Sequence, residues 1–128
     1  MAQIKDGPLK LQPDDIVRIR AHFDEHPYEA TAAEDHSYEQ AIASDPAFAA
    51  FVKRNVKDHR AAGYKCVFVS LKAPGIAPGD ITAEQMDLVA ELAERYSFGE
   101  VRATHDQNLV LAEVEQKNVH AVWRALRD

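Results

Sequence analysis

Apolar positions in the first sixty residues recur at helical spacing. Ile16, Ile19 and Phe23 follow Pro13, Asp14 and Asp15. Proline suits a first helical turn and acidic residues favour its positive end. The run predicts a helix that His26-Pro27 stops, since the residue before proline avoids the α region. Residues 28–44 are Ala-rich and acidic, with Ser37 as the cap of a short helix. Asp45-Pro46 reads as a restart, Asp at the N-cap and Pro at the first helical position. Phe48, Phe51, Val52, Asn55, Val56 and His59 then line one face, and Gly63 is the expected stop.

After Gly63 the period changes. Tyr64 to Leu71 is β-branched and aromatic on both parities, the pattern of a strand covered on both faces. KAPGIAPGD follows, whose Pro-Gly pairs read as a turn. Thr82 and Gln85 make a capping box, with Ile81 and Met86 as its hydrophobic staple. Met86, Val89, Ala90, Ala93 and Tyr96 are the expected buried stripe of that helix. Glu100–His105 and Leu109–Val114 alternate as a β-hairpin joined at Asp106-Gln107-Asn108. Val119, Val122, Trp123 and Leu126 form a last amphipathic helix. The expected architecture is therefore α+β: a helical N-terminal arm (residues 1–62) followed by a βαββα unit (residues 63–128). One further strand would complete the βαββαβ ferredoxin-like plan. The open edge calls for a partner strand, from the arm, a second copy of the chain or another protein.

Composition narrows the function classes. The chain has 128 residues, 46% apolar and 28% charged, which fits one globular domain or a small domain with an arm. Its net charge of −6 is shared evenly, because residues 1–62 hold eight Lys/Arg and eleven Asp/Glu and residues 63–128 hold seven and ten. Nucleic-acid binding through bulk charge is not expected. No apolar run approaches the ~20 residues that span a bilayer, and no signal peptide is visible at the start. Cys66 is the only cysteine, so an internal disulfide is excluded and a reducing, cytoplasmic setting is expected. An iron–sulfur cluster takes about four thiolates, more than this chain supplies alone.

Several constellations could carry chemistry. His22 and His26 stand four apart, a spacing at which two imidazoles can share a metal; the plainer reading is a polar helix end, and no metal ligand is assigned. Cys66 sits within an apolar strand, where thiols are inert, so no catalytic residue is assigned either. Gly75, Pro78 and Gly79 could form an anion nest, but a turn feeding the capped helix explains them. Arg102, Thr104, Gln107 and Asn108 are the strongest group. Arg102 and Thr104 share one strand face by alternation, and the two carboxamides lie at the hairpin end. A guanidinium fork, a hydroxyl and two amides suit a carboxylate-bearing or oxyanion ligand.

The stretches GYKCVFVSLKAPG, GDITAEQMDLVAELAERY and FGEVRATHDQNLVLAEV, with R-x-T-x-x-Q-N as the most specific part, resemble the ferredoxin-like half-domain repeated in sirohaem-containing nitrite/sulfite reductases. FVKRNVKDHRAAGY resembles the lead-in to the second of the two repeats. The resemblance implies an oxidoreductase system in which two half-domains pair through their sheets. Arginine and amide side chains of the hairpin motif then reach sirohaem carboxylates, which makes Arg102, Thr104, Gln107 and Asn108 the implied cofactor-binding residues. The family's cluster cysteines are absent and the repeat occurs once, so this chain is not expected to reduce nitrite or sulfite alone. It reads as a domain fragment of a longer reductase, a separate subunit, or a free-standing relative. The implied partner is a second ferredoxin-like half-domain, in a homodimer or on another chain. The alternative is a stand-alone, non-catalytic homodimeric module that binds a small anionic ligand or a partner protein.

Overall fold

Capping chemistry sets the helix starts. In the computed structural model, which describes residues 7–128, helix α1 (Pro13–Ala21) opens with Gln12 and Asp15 bonding reciprocally across its first turn. It ends well before His26-Pro27. None of its residues is buried, and Val17 and the following Phe23 are 68% and 81% exposed. A 3-10 turn (Ala32–Glu34) leads to α2 (Ser37–Ser44), in which Ser37 is the first helical residue rather than the cap. The Asp35 carboxylate accepts the Ser37 N–H at 2.8 Å instead. Asp45 accepts from the N–H groups of Ala47 and Phe48 at 3.0 and 3.1 Å and starts α3 (Pro46–Asn55), as the Asp-Pro pair predicts.

Helix α3 stops at Asn55 rather than running to Gly63. The Asn55 side-chain amide donates to the Phe68 carbonyl at 3.0 Å, fixing the helix end against a strand. Val56–Asp58 then form strand β1, antiparallel to β2 (Tyr64–Val69), with Val56 opposite Val67 and Lys57 opposite Cys66. Val56 packs against the core while Lys57 and Asp58 are exposed. Three residues satisfy a helical or an alternating pattern equally, and cross-strand pairing decides between them. Gly63 consequently serves the β1–β2 turn. Its φ is +82°, and a Cβ there would collide with the backbone of Ala32 and Ala33.

The remaining elements are α4 (Ala83–Tyr96), β3 (Arg102–Ala103), β4 (Leu109–Glu115), a 3-10 turn (Gln116–Asn118) and α5 (Val119–Arg127). The Thr82–Gln85 capping box forms as expected. Met86 and Ala90, expected in the buried stripe, are exposed, and Leu92 joins Val89 and Ala93 there, with Tyr96 half-buried. The strand expected over Glu100–His105 contracts to two residues. Beyond Ala103 the backbone turns: Thr104 N–H donates to Asn108 O at 2.9 Å and Gln107 N–H to Thr104 O at 3.1 Å, with Gln107 at φ 61°.

The sheet is four-stranded and antiparallel, in the order β1-β2-β4-β3. The βαββα unit is present, and the arm supplies β1 on the side of β2 that the last strand of the full plan would occupy. The fold is α+β and ferredoxin-like. Phe48 and Tyr38 from the arm share one core with Val67, Leu111 and Val114 of the sheet, Val89 and Leu92 of α4, and Val119, Val122 and Trp123 of α5. No helix among the described residues is long and apolar enough to cross a membrane.

Candidate functional site

The four hairpin residues divide into a frame and a rim. Thr104 Oγ1 accepts the Asn108 N–H at 3.1 Å, and Asn108 Oδ1 accepts the Leu71 N–H at 3.3 Å. These two side chains tie the hairpin end to itself and to the start of the Pro-Gly loop. Gln107 is exposed at the tip, beside Gly79. Arg102 lies on β3 with its side chain 59% exposed. Its Nη2 donates to Glu100 Oε2 at 3.1 Å and to Glu113 Oε1 at 3.3 Å. The guanidinium is therefore held by two carboxylates of its own chain.

Glu113 is the centre of that arrangement. Its side chain is 5% exposed, in the middle of β4, where an isolated charge would be costly. Partners surround it. Tyr28 OH donates to Oε2 at 2.7 Å, His59 Nε2 lies 3.0 Å from the same oxygen, and Arg102 takes Oε1. The Ala61 N–H donates to His59 Nδ1 at 2.9 Å, which assigns the ring proton to Nε2 and points it at Glu113. Tyr28, His59, Tyr64 and Phe98 form an aromatic wall around the carboxylate. Burial, together with the Glu113 carboxylate, raises the Tyr28 pKa above its ordinary value, so the phenol stays a donor.

A second layer lies beside it. His26 stacks on Phe98 with centroids 4.7 Å apart and planes at 6°, and its Nε2 is 3.0 Å from Glu100 Oε1. The hydrogen bond from Arg102 is the main cause that holds the Glu100 carboxyl below its usual range. One ligand atom each from His26, Glu100 and Glu113 falls within 4.8 Å of the others. His22 lines the same depression but lies past the end of α1, so the four-residue spacing does not put the two histidines on one helix.

Glu113, Glu100, Tyr28 and His59 are the site residues that the sequence pattern did not single out, and His26 was singled out only as a partner of His22. One signal was present: Glu113 is a carboxylate inside the otherwise apolar run LVLAEV. Cys66 Sγ lies 3.4 Å from the Ala112 carbonyl, and burial pushes its thiol pKa up, which keeps it in the less reactive protonated form. The Pro-Gly segment closes as turns, with Ile76 N–H donating to Ala73 O and Gly79 N–H to Leu71 O.

Comparison with known protein families gives a match to the C-terminal part of the chain. The family described as nitrite/sulfite reductase ferredoxin-like half domain covers residues 59–128. No curated protein and no solved structure matches the chain. The matched segment runs from His59 through the whole βαββα unit and includes Arg102, Thr104, Gln107, Asn108 and Glu113. More than half of the sequence is covered, and the chain belongs to the nitrite/sulfite reductase ferredoxin-like half-domain family.

Proposed function

We propose that this chain is a cytoplasmic, non-catalytic module of a nitrite/sulfite reductase system, which supports sirohaem and pairs with a second ferredoxin-like half-domain. Residues 63–128 are the half-domain in this reading, and the arm of residues 1–62 lends it β1. The observation that carries the proposal is Arg102, exposed at the rim of the family's hairpin motif yet oriented from behind by buried Glu113. An oriented guanidinium loses little freedom when it binds a carboxylate.

The donor set fits a tetrapyrrole bearing carboxylates. Arg102 makes both internal contacts through Nη2, Asn108 accepts through Oδ1 and keeps its amide N–H groups as donors, and Gln107 is exposed at the tip. When bound, sirohaem would supply the redox-active iron at which nitrite or sulfite is reduced. This chain's residues would only hold and orient it: Arg102 and the Gln107 and Asn108 amides donate to its carboxylates, and Thr104 keeps the hairpin end in shape. Glu100 and Glu113 temper the charge at Arg102, so the guest meets a shared hydrogen-bonding group rather than a bare cation.

The test is retention of sirohaem absorbance by the folded chain through gel filtration. Retention is expected, with Arg102→Ala weakening it by about tenfold, the size of one charge-assisted hydrogen bond. A folded chain that elutes colourless overturns the proposal. A second reading, a module that docks on a partner protein, rests on the exposed apolar side chains of α1 and its flank: Ile16, Val17, Ile19 and Phe23. Protection of these residues from hydrogen exchange when a reductase subunit is added, without sirohaem uptake, would favour it.

A further inference from the structure

We propose that His26, Glu100 and Glu113 form a binding site for a divalent transition-metal ion of the zinc class, in competition with Arg102. The inference is independent of sirohaem. The three ligand atoms lie within 4.8 Å of one another. A tetrahedral ion bonded at about 2.1 Å to each would hold them about 3.4 Å apart, which is a shift of up to about 0.8 Å per side chain.

Two features suit these side chains to a metal. The first is support behind the ligands. Metal-binding carboxylates are usually held by further hydrogen bonds, and Glu113 has Tyr28 OH at 2.7 Å and His59 Nε2 at 3.0 Å. His26 is kept in orientation by its stack on Phe98. The second feature is Arg102, which already acts as the cation of the site, with Nη2 at 3.1 and 3.3 Å from the two carboxylates. Because 59% of that side chain is exposed, it can withdraw into water and leave both carboxylates to an ion. One imidazole with two carboxylates selects a borderline cation such as Zn²⁺ over Mg²⁺ or Ca²⁺, which take oxygen ligands. Water would complete the coordination.

The test uses the full chain, stripped by a chelator and titrated with Co²⁺, whose visible bands report nitrogen and oxygen ligation. One Co²⁺ per chain is expected, displaced by Zn²⁺ but not by Mg²⁺. His26→Ala and Glu100→Gln each weaken binding more than about tenfold, the lower size of an outer-shell loss. Their side chains are 23% and 37% exposed, so both variants keep the fold, as circular dichroism would verify. Arg102→Ala should tighten binding by removing the competitor, and His105→Ala, 93% exposed on the hairpin turn, should leave it unchanged. Absence of saturable binding, indifference to both His26→Ala and Glu100→Gln, or weaker binding by Arg102→Ala overturns the proposal.

Discussion

Glu113 and Arg102 touch each other but sit in different environments, and that difference predicts how each responds to mutation. Glu113 is 5% exposed and serves Tyr28, His59 and Arg102 together. Glu113→Ala leaves the half-buried Tyr28 hydroxyl and the buried His59 Nε2–H without an acceptor and should destabilise the chain by about 2–3 kcal/mol, the cost of polar groups left unsatisfied. Arg102→Ala removes a mostly exposed cation; Oε2 keeps Tyr28 and His59, and Oε1 is left to the water that enters where the guanidinium stood. It should cost about 1 kcal/mol or less. Urea unfolding of the two variants measures both values, and equal losses would mean that the guanidinium, not the carboxylate, organises the cluster. The hairpin motif was legible at this scale, because Arg102, Thr104, Gln107 and Asn108 stand at fixed offsets around one turn. The groups behind Arg102 were not. Tyr28 and His59 reach Glu113 across 85 and 54 positions of chain. No local period encodes such a contact.

At the scale of elements, caps and turns were readable where a short side chain bonds its own backbone. Asp45 begins α3 and Thr82 begins α4, both as their sequences imply. The bond from the Phe48 N–H is the main cause that holds the Asp45 carboxyl below its usual range. The unfolded chain therefore takes up this proton first as the pH falls, and acid favours unfolding. The stability that Asp45 contributes is full above its unfolded pKa of about 4 and disappears as the pH drops through the lower folded value. Urea midpoints of wild type and Asp45→Asn should draw together as the pH falls below about 4, where a free Asp is half-titrated; a constant gap would rule out this linkage. Strand β1 was hidden for a different reason. Val56 lies three and four positions from Lys53 and Val52 and also alternates with Lys57, and only β2 across the sheet selects the extended form. Helix α1 shows the converse. Its period is helical and its caps form, yet no residue is buried. A nine-residue helix of this kind is marginal in water. Its amides should exchange near the unprotected rate while those of β2 and β4 approach the global limit, as measured by exchange mass spectrometry at low protein concentration. Slow exchange in α1 would mean that another surface covers it.

For the whole molecule, the arm changes what the sheet requires of a partner. β1 occupies the open side of β2 and is only three residues long with Lys57 in it; β3 at the other edge has two residues, one of them Arg102. Short, charged edges resist pairing with a further strand. A second copy would therefore find more apolar surface on α1 and Phe23 than on either edge. Each copy carries −6, so two copies repel at long range. Salt screens that repulsion, with a Debye length falling from about 30 Å at 0.01 M to about 8 Å at 0.15 M, while apolar contact is left in place. If the chain pairs with itself through the α1 face, the dimer fraction from light scattering should rise over that salt range, and Ile19→Asp should reduce it. An association with a basic partner would show the opposite dependence, because the same screening weakens attraction. A dimer that weakens with salt and ignores Ile19→Asp would place self-association elsewhere on the molecule.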